Sequence, residues 1–220
     1  MKILGVDSSG MVASVAIVED DILVAEYSIN HKKTHSQTLL PMIDEVMKMT
    51  DMDINSFDAI AVAAGPGSFT GIRIGISTVK AIAESLNIPV IAVSSLEGLA
   101  YNIHDSECIC SLIDAKNNQV YCGLFDSNHT LIGNYMADDI NTILPVINQN
   151  KDILFVGDGA VAHKGLLNIN NFRSDNLLHA KNINLCAFNK FSKGEILSAD
   201  SILPMYLRKS QAERMRNLNG

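Results

Sequence analysis

Apolar and polar positions divide the chain into short, regularly bounded runs. Residues 3–7 are apolar and stop at Asp7-Ser8-Ser9-Gly10, a turn-forming string. Residues 11–18 read as a second strand, with Val12, Ser14, Ala16 and Val18 on one face, and Glu19-Asp20-Asp21 turns the chain into a third strand over 22–28. From 36 to 49 the period is helical, and Thr34 with Gln37 has capping-box spacing. The apolar run 59–64 predicts a buried strand. A helix over 71–86 follows, with Ile72, Ile76, Val79, Ala83 and Leu86 recurring at spacings of three and four and Thr70 placed to cap it. A strand at 90–94 and a helix at 96–103 complete the order βββαβαβα.

The second half opens the same way. Residues 108–113 form an apolar strand ending in Asp114-Ala115-Lys116-Asn117-Asn118, and strands are expected at 120–126 and 131–136 around the turn Ser127-Asn128-His129. Asp138 is positioned to cap a helix reaching 148, a strand covers 153–156, and Gly157-Asp158-Gly159-Ala160 turns into a short helix. Asp7 and Asp114 end equivalent first strands, while Gly65 and Gly157 follow equivalent fourth strands. The repeat is one of element order, without clear sequence identity. Beyond 157 the second unit is cut down, with 188–197 as its expected last helix. The pattern thus gives an α/β chain of two units, 1–103 and 104–204, with a terminal helix at about 205–218 packing back on the first.

The densest glycine segment, Gly65-Pro66-Gly67-Ser68-Phe69-Thr70-Gly71-Ile72-Arg73-Ile74-Gly75, joins the strand at 59–64 to the helix at 71–86. Such a turn points backbone N–H groups beyond the strand and suits an anion, or it is a structural turn. It matches neither the phosphate loop nor the dinucleotide fingerprint. As a string it closely resembles the signature of TsaB, a bacterial family of tRNA threonylcarbamoyladenosine biosynthesis proteins. Other strings agree: Asp114-Ala115 with Val120-Tyr121; His35-Ser36 with Leu40-Pro41 and Ile43, Gln37 replacing a glutamate; and Pro204-Met205-Tyr206-Leu207-Arg208.

The resemblance implies the actin-like (ribonuclease H-like) superfold, in agreement with a duplicated βββαβαβα order and a truncated second domain. It further implies a non-catalytic partner of the transferase TsaD, joined by the ATPase TsaE, in making threonylcarbamoyladenosine at position 37 of tRNAs reading codons that start with A. In TsaD a string similar to Val93-Ser94-Ser95-Leu96-Glu97-Gly98-Leu99 carries two metal-binding histidines, which fall here at Ser95 and Leu99. The implied division of labour leaves ATP and metal on partner subunits, with tRNA met only through the complex. The rival readings are a small ATP-dependent phosphotransferase of the sugar- and acetate-kinase superfold, supported by Asp7 and the glycine turns, and a metallopeptidase-like protein, opposed by Ser95 and Leu99.

Composition narrows the classes. At 220 residues the chain has room for two small cores, and a net charge of −7 makes it a poor nucleic-acid binder alone. Met1-Lys2-Ile3 leads directly into a strand, no long apolar run suggests a membrane span, and a cytoplasmic protein is expected. Cys108, Cys110, Cys122 and Cys186 contain no C-x-x-C pair and read as reduced, buried thiols. His31 and His35 have the spacing of a helical metal pair but fall before the helix begins. Asp7 and Asp114, with Gly67, Gly157 and Gly159, are the candidates for residual nucleotide contact; Asp7 also reads as a turn aspartate. On the helix at 36–49, Leu39, Leu40, Ile43, Val46 and Met47 make the stripe expected to face the sheet. Met42 and Met49 are left on a flank. Ile74, Ala81 and Ile82 lie off the stripe of the next helix. These five spare apolar residues are the expected interface with a TsaD-like subunit, or with a second copy when that partner is absent.

Overall fold

The structure, a computed structural model, describes residues 1–31, 33–149, 152–167, 172 and 175–208. The first sheet contains β1 (Lys2–Asp7), β2 (Ala13–Glu19), β3 (Ile22–Ile29), β4 (Ala59–Gly65) and β5 (Val90–Ser94) in the order β3-β2-β1-β4-β5. Helices α1 (His35–Met49) and α2 (Phe69–Leu86) connect its later strands, and α3 (Ser95–Ala100) leads on to the second sheet. The second sheet contains β6 (Cys108–Asp114), β7 (Gln119–Asp126), β8 (Met136–Asp139) and β9 (Ile153–Val156) in the order β8-β7-β6-β9, with α4 (Ile140–Ile147) and α5 (Asp158–Ala162). Both sheets pair the first strand antiparallel to the second and parallel to the fourth. The duplication expected from element order is therefore present in the strand topology.

Strand alternation sorts the core. Leu4, Val6, Ile60 and Val62 join α1 and α2 in one apolar cluster, while Ile3, Ala59, Ala61 and Ala63 face the other way. That second face is small because the last helix, α6 (Ala180–Ser192), lies directly on it. A Cβ on Gly5 would meet the side chain of Asn184 and the backbone of Ala180 closer than 3.0 Å. Asn184 sends its amide to the carbonyls of Ile3 and Ala16 at 3.3 and 3.0 Å. The expected helix at 188–197 is thus displaced to Ala180–Ser192, and it covers the first sheet rather than the second. Its buried Asn182 and Asn184 break the apolar stripe that would have marked it.

Smaller corrections have local causes. Ser68, not Thr70, caps α2, its hydroxyl accepting from Gly71 N at 3.2 Å. Thr34 is the N-cap of α1 but makes no side-chain cap bond, so the capping box is not formed. The strand expected at 131–136 begins at Met136; Leu131 makes only an isolated bridge to Phe125. Asp139, not Asp138, caps α4. The expected helix at 205–218 falls mostly outside the described residues. Its first four positions, 205–208, are not helical, and Met205 N donates to Ala64 O at 2.7 Å, laying this segment on the end of β4. All four cysteines are free and buried. No helix among the described residues is long and apolar enough to cross a membrane.

Candidate functional site

The glycine segment is packed against its own chain. Cβ atoms at Gly67 and Gly71 would lie closer than 3.0 Å to the carbonyl oxygens of Ser9 and Ser8, and one at Gly75 would meet the Ser8 hydroxyl. Ser68 N donates to Ser9 O at 2.6 Å, and the Ser8 hydroxyl donates to Gly71 O at 2.9 Å. The turn after β4 therefore seats on the turn after β1. The second unit repeats this: Cβ atoms on Gly157 and Gly159 would run into the backbone of Leu112 and Ile113 at the end of β6. Gly157 also has φ +106°, a left-handed backbone that favours glycine. At Gly67, Gly157 and Gly159 the space of a missing side chain is taken by protein backbone, which accounts for each without a ligand.

Between the units lies a cavity of about 190 Å³ lined by Asp7, Met11, Leu99, Ile113, Asp158 and Leu177, among others. Asp7 is 1% exposed and accepts from Ser9 N at 2.8 Å. Burial pushes its carboxyl up to about 6, against the downward pull of the Ser9 hydrogen bonds and of His35 and His179. Asp114 does not line this cavity. Its carboxylate takes Lys116 Nζ at 2.6 Å, and Lys116 outweighs partial burial to hold it below the ordinary value. The carboxyl that accompanies Asp7 is Asp158, raised by burial, whose Oδ1 accepts from Asp114 N at 3.0 Å. Sequence reading passed over Asp158; its signal was an acidic residue between two glycines directly after a fourth strand.

His31 and His35 do not form a pair. His35 begins α1 with Nε2 2.8 Å from Gly10 O, and His31 Nδ1 accepts from Lys33 N at 3.3 Å. Among the described residues no group of three His, Cys, Asp or Glu side chains is placed to hold a metal. Ser95 is fully buried at the start of α3, and Leu99 is 3% exposed within the apolar cluster that joins the units.

A clamp behind the cavity ties the segment 175–179 to the sheet edge. His179 Nε2 lies 3.1 Å from both Asp175 carboxylate oxygens, and Nδ1 lies 3.6 Å from Glu26 Oε2, an ion-pair rather than hydrogen-bond distance. Glu26 and Asp175 together raise the imidazole above its ordinary value of 6.5 against partial burial. A group raised in the fold contributes fully below its unfolded pKa and loses that contribution as pH rises through the folded one. His179→Gln should therefore cost most stability below about pH 6.5, with the deficit shrinking towards alkaline pH. Thermal unfolding of both proteins across pH checks this, and a pH-independent deficit refutes it.

The expected interface is rearranged by the structure. Met42 is 1% exposed and part of the core, whereas Leu40, assigned to the inward stripe, is 56% exposed. On a helical wheel Met42 lies about 60° from Leu39 but Leu40 about 100°, so the buried arc takes the former. Met49 is 77% exposed, Ala81 is exposed, and Ile74 and Ile82 are half-buried against the core. Between α1 and α2 runs a groove of about 450 Å³ lined by Leu39, Leu40, Phe69, Arg73, Ile74 and Thr78, among others. Phe69 stacks on Tyr206 at 4.8 Å, with the Arg73 guanidinium 3.9 Å from its ring centre and Arg73 Nε donating to the Tyr206 hydroxyl at 2.8 Å.

Two sheets of one topology, each with a glycine turn folded onto its first strand and a cavity between them, define a two-domain protein of the actin-like class. The activator of 2-hydroxyisocaproyl-CoA dehydratase from Clostridium difficile shares this fold at 11% identity, with a TM-score of 0.54 over 94% of this chain and all of that one. The family model described as TsaD, tRNA N6-adenosine threonylcarbamoyltransferase, matches residues 23–214. The TsaB protein of Bacillus subtilis, a tRNA threonylcarbamoyladenosine biosynthesis protein, is 34% identical, covering 97% of this chain and 96% of its own. A Pseudomonas aeruginosa crystal structure, described as an uncharacterised protein similar to peptidase YeaZ, superposes with a TM-score of 0.83 at 28% identity over 94% of this chain and 99% of that chain. The chain belongs to the TsaB family.

Proposed function

We propose that this chain is a non-catalytic scaffold in threonylcarbamoyladenosine formation at position 37 of tRNAs reading codons that start with A. It binds a TsaD-like catalytic subunit together with a TsaE-like ATPase. The observation that carries this reading is the donor set at 95 and 99. Where TsaD has histidine ligands, this chain has a buried serine hydroxyl and a leucine inside an apolar cluster. Leucine offers no lone pair, and serine alone makes no divalent-metal centre. ATP and metal are thus assigned to the partner subunits. A net charge of −7 fits tRNA contact through the complex rather than through this chain alone. The test compares tRNA modification from threonylcarbamoyl-adenylate by this chain alone, by a TsaD-like protein alone and by the full set. Product from this chain alone, at a rate near that of the full set, overturns the reading.

The docking face is the α1/α2 groove, lined by Leu40, Phe69 and Ile74 among others, with Met49, Ala81 and Ile82 further along the same two helices; Met42 is withdrawn to the core. Without its partner the same face closes on a second copy. Leu40→Glu places a charge on a residue already 56% exposed, so the monomer's thermal transition should move by no more than about 0.5 kcal/mol equivalent. Binding to the TsaD-like subunit should fall by at least about tenfold, as expected for a charge buried without a counter-ion in an interface. Calorimetric titration measures it, and undiminished affinity would place the interface elsewhere.

A further inference from the structure

The first sheet has two edges, and they are treated differently. At β5 the edge is capped at its start, where Val90 and Leu197 exchange backbone hydrogen bonds at 2.9 Å in both directions. At β3 it is open. That strand runs for eight residues, contains no lysine, arginine or proline, and exposes Ile22 (70%), Leu23 (45%), Val24 (41%) and Tyr27 (40%). Its one charge, Glu26, is turned inward to His179 and the backbone of Lys181. Edge strands are ordinarily guarded by charge, proline, brevity or a covering element. The second sheet follows that rule at β8, which has four residues, two of them aspartates. Only a bulge at Val24, where the register with β2 slips, interrupts β3.

We propose that β3 is a self-association edge on which a second copy of this chain pairs antiparallel, continuing the sheet across a twofold axis. Cross-strand partners share a face, so pairing of Ile17 with Ala25 and Glu19 with Ile22 puts Ile22, Ala25, Tyr27 and Ile29 on the α1 side. On that side a groove of about 600 Å³ lies between β3 and α1, lined by Tyr27, Ile29, His31, Lys33, Pro41 and Glu45, among others. The bulge restricts the regular ladder to 25–29, whose centre is Tyr27. Antiparallel pairing about Tyr27 carries the hairpin tip of the second copy, with its Asp21, past the end of β3 towards the loop that bears Lys33. Asp20 is held by its own chain's amino terminus, which leaves Asp21 as the outward charge of the tip. Ile22 then faces the apolar part of the lining, Tyr27, Ile29 and Pro41, and the acidic tip faces Lys33. Because the axis is twofold, each contact is made twice. The surface is separate from the α1/α2 groove, and the proposal stands whatever the function.

The test begins in the Leu40→Glu background, so that association through the α1/α2 face is removed. Light scattering should still find a dimer there, and adding Tyr27→Lys should make it a monomer. Lys33→Asp should weaken the dimer, and combining it with Asp21→Lys should restore it. All four native cysteines are buried, so in a Tyr27→Cys protein the new thiol is the reactive one and should cross-link two chains on mild oxidation. A Leu40→Glu protein that is monomeric at every concentration, or a dimer that ignores Tyr27→Lys and leaves Cys at position 27 uncross-linked, overturns the proposal.

Discussion

Gly71→Ala should unfold much of the protein's stability, although it adds a single methyl group to a good helix position. The added Cβ would lie closer than 3.0 Å to the Ser8 carbonyl oxygen, with the next atoms being Ser8 C and the His35 ring. Neither side of this clash is a flexible side chain. Gly71 is fixed by α2, and Ser8 is held because its own hydroxyl donates to Gly71 O and its neighbour's carbonyl accepts from Ser68 N. To admit the methyl, α2 must slide away from β1, disturbing the cluster that Ile72 and Ile76 share with Leu4 and Val6. Overpacking that shifts backbone costs about 1–3 kcal/mol, and with rigid backbone on both sides of the clash this site falls at the upper end, about 3 kcal/mol. For a chain of this size that lowers the thermal midpoint by roughly 6–12 °C. Gly10→Ala is the matched control: nothing lies within 4 Å of its Cβ, and φ carries no left-handed requirement. Its effect should stay within about 0.5 kcal/mol. Equal midpoints for the two variants would show that the glycine turn is not seated on Ser8 and Ser9.

That contact also explains what was legible in the sequence. The duplicated strand order could be read because each unit signals the same way: an apolar run closed by an aspartate, and a later run closed by glycine. The two sheets repeat those signals in the same order, down to the glycine turns on the ends of β1 and β6. The last helix was misplaced because its contact is made by asparagines. Asn182 donates to Gly98 O, and Asn184 donates to Ile3 O and Ala16 O, so buried polar residues sit where a hydrophobic period would be sought. Periodicity also failed at the edge of a stripe, where it assigned Leu40 inward and Met42 outward. The sheet decides such cases, because the width of the buried arc depends on how closely the helix lies on it. Asp158 was missed because a single sequence does not reveal which two of three carboxyl-bearing turns converge; that depends on how the two sheets face each other.

Asp7→Asn should make the protein more stable at neutral pH, and the gain should vanish in acid. Burial raises the Asp7 carboxyl from its ordinary 3.8 to about 6, so the fold favours the protonated form over the charged one. The difference corresponds to about 3 kcal/mol. A carboxyl raised in this way binds a proton on folding between those two values. The stabilising contribution of the protonated group is complete below about pH 3.8 and lost as pH rises through about 6. Above that, the folded protein carries a buried carboxylate in a cavity it shares with Asp158, whose own carboxyl burial also raises. Asparagine keeps an oxygen to accept from Ser9 N and carries no charge, so the turn after β1 should survive the substitution. The variant should therefore gain up to about 3 kcal/mol near pH 8, while below about pH 4 the two proteins should unfold alike. Denaturant unfolding at several pH values measures the difference directly. A variant no more stable than the parent near pH 8 would mean that the Asp7 carboxylate is compensated in the fold, with Ser9, His35 and His179 outweighing its burial.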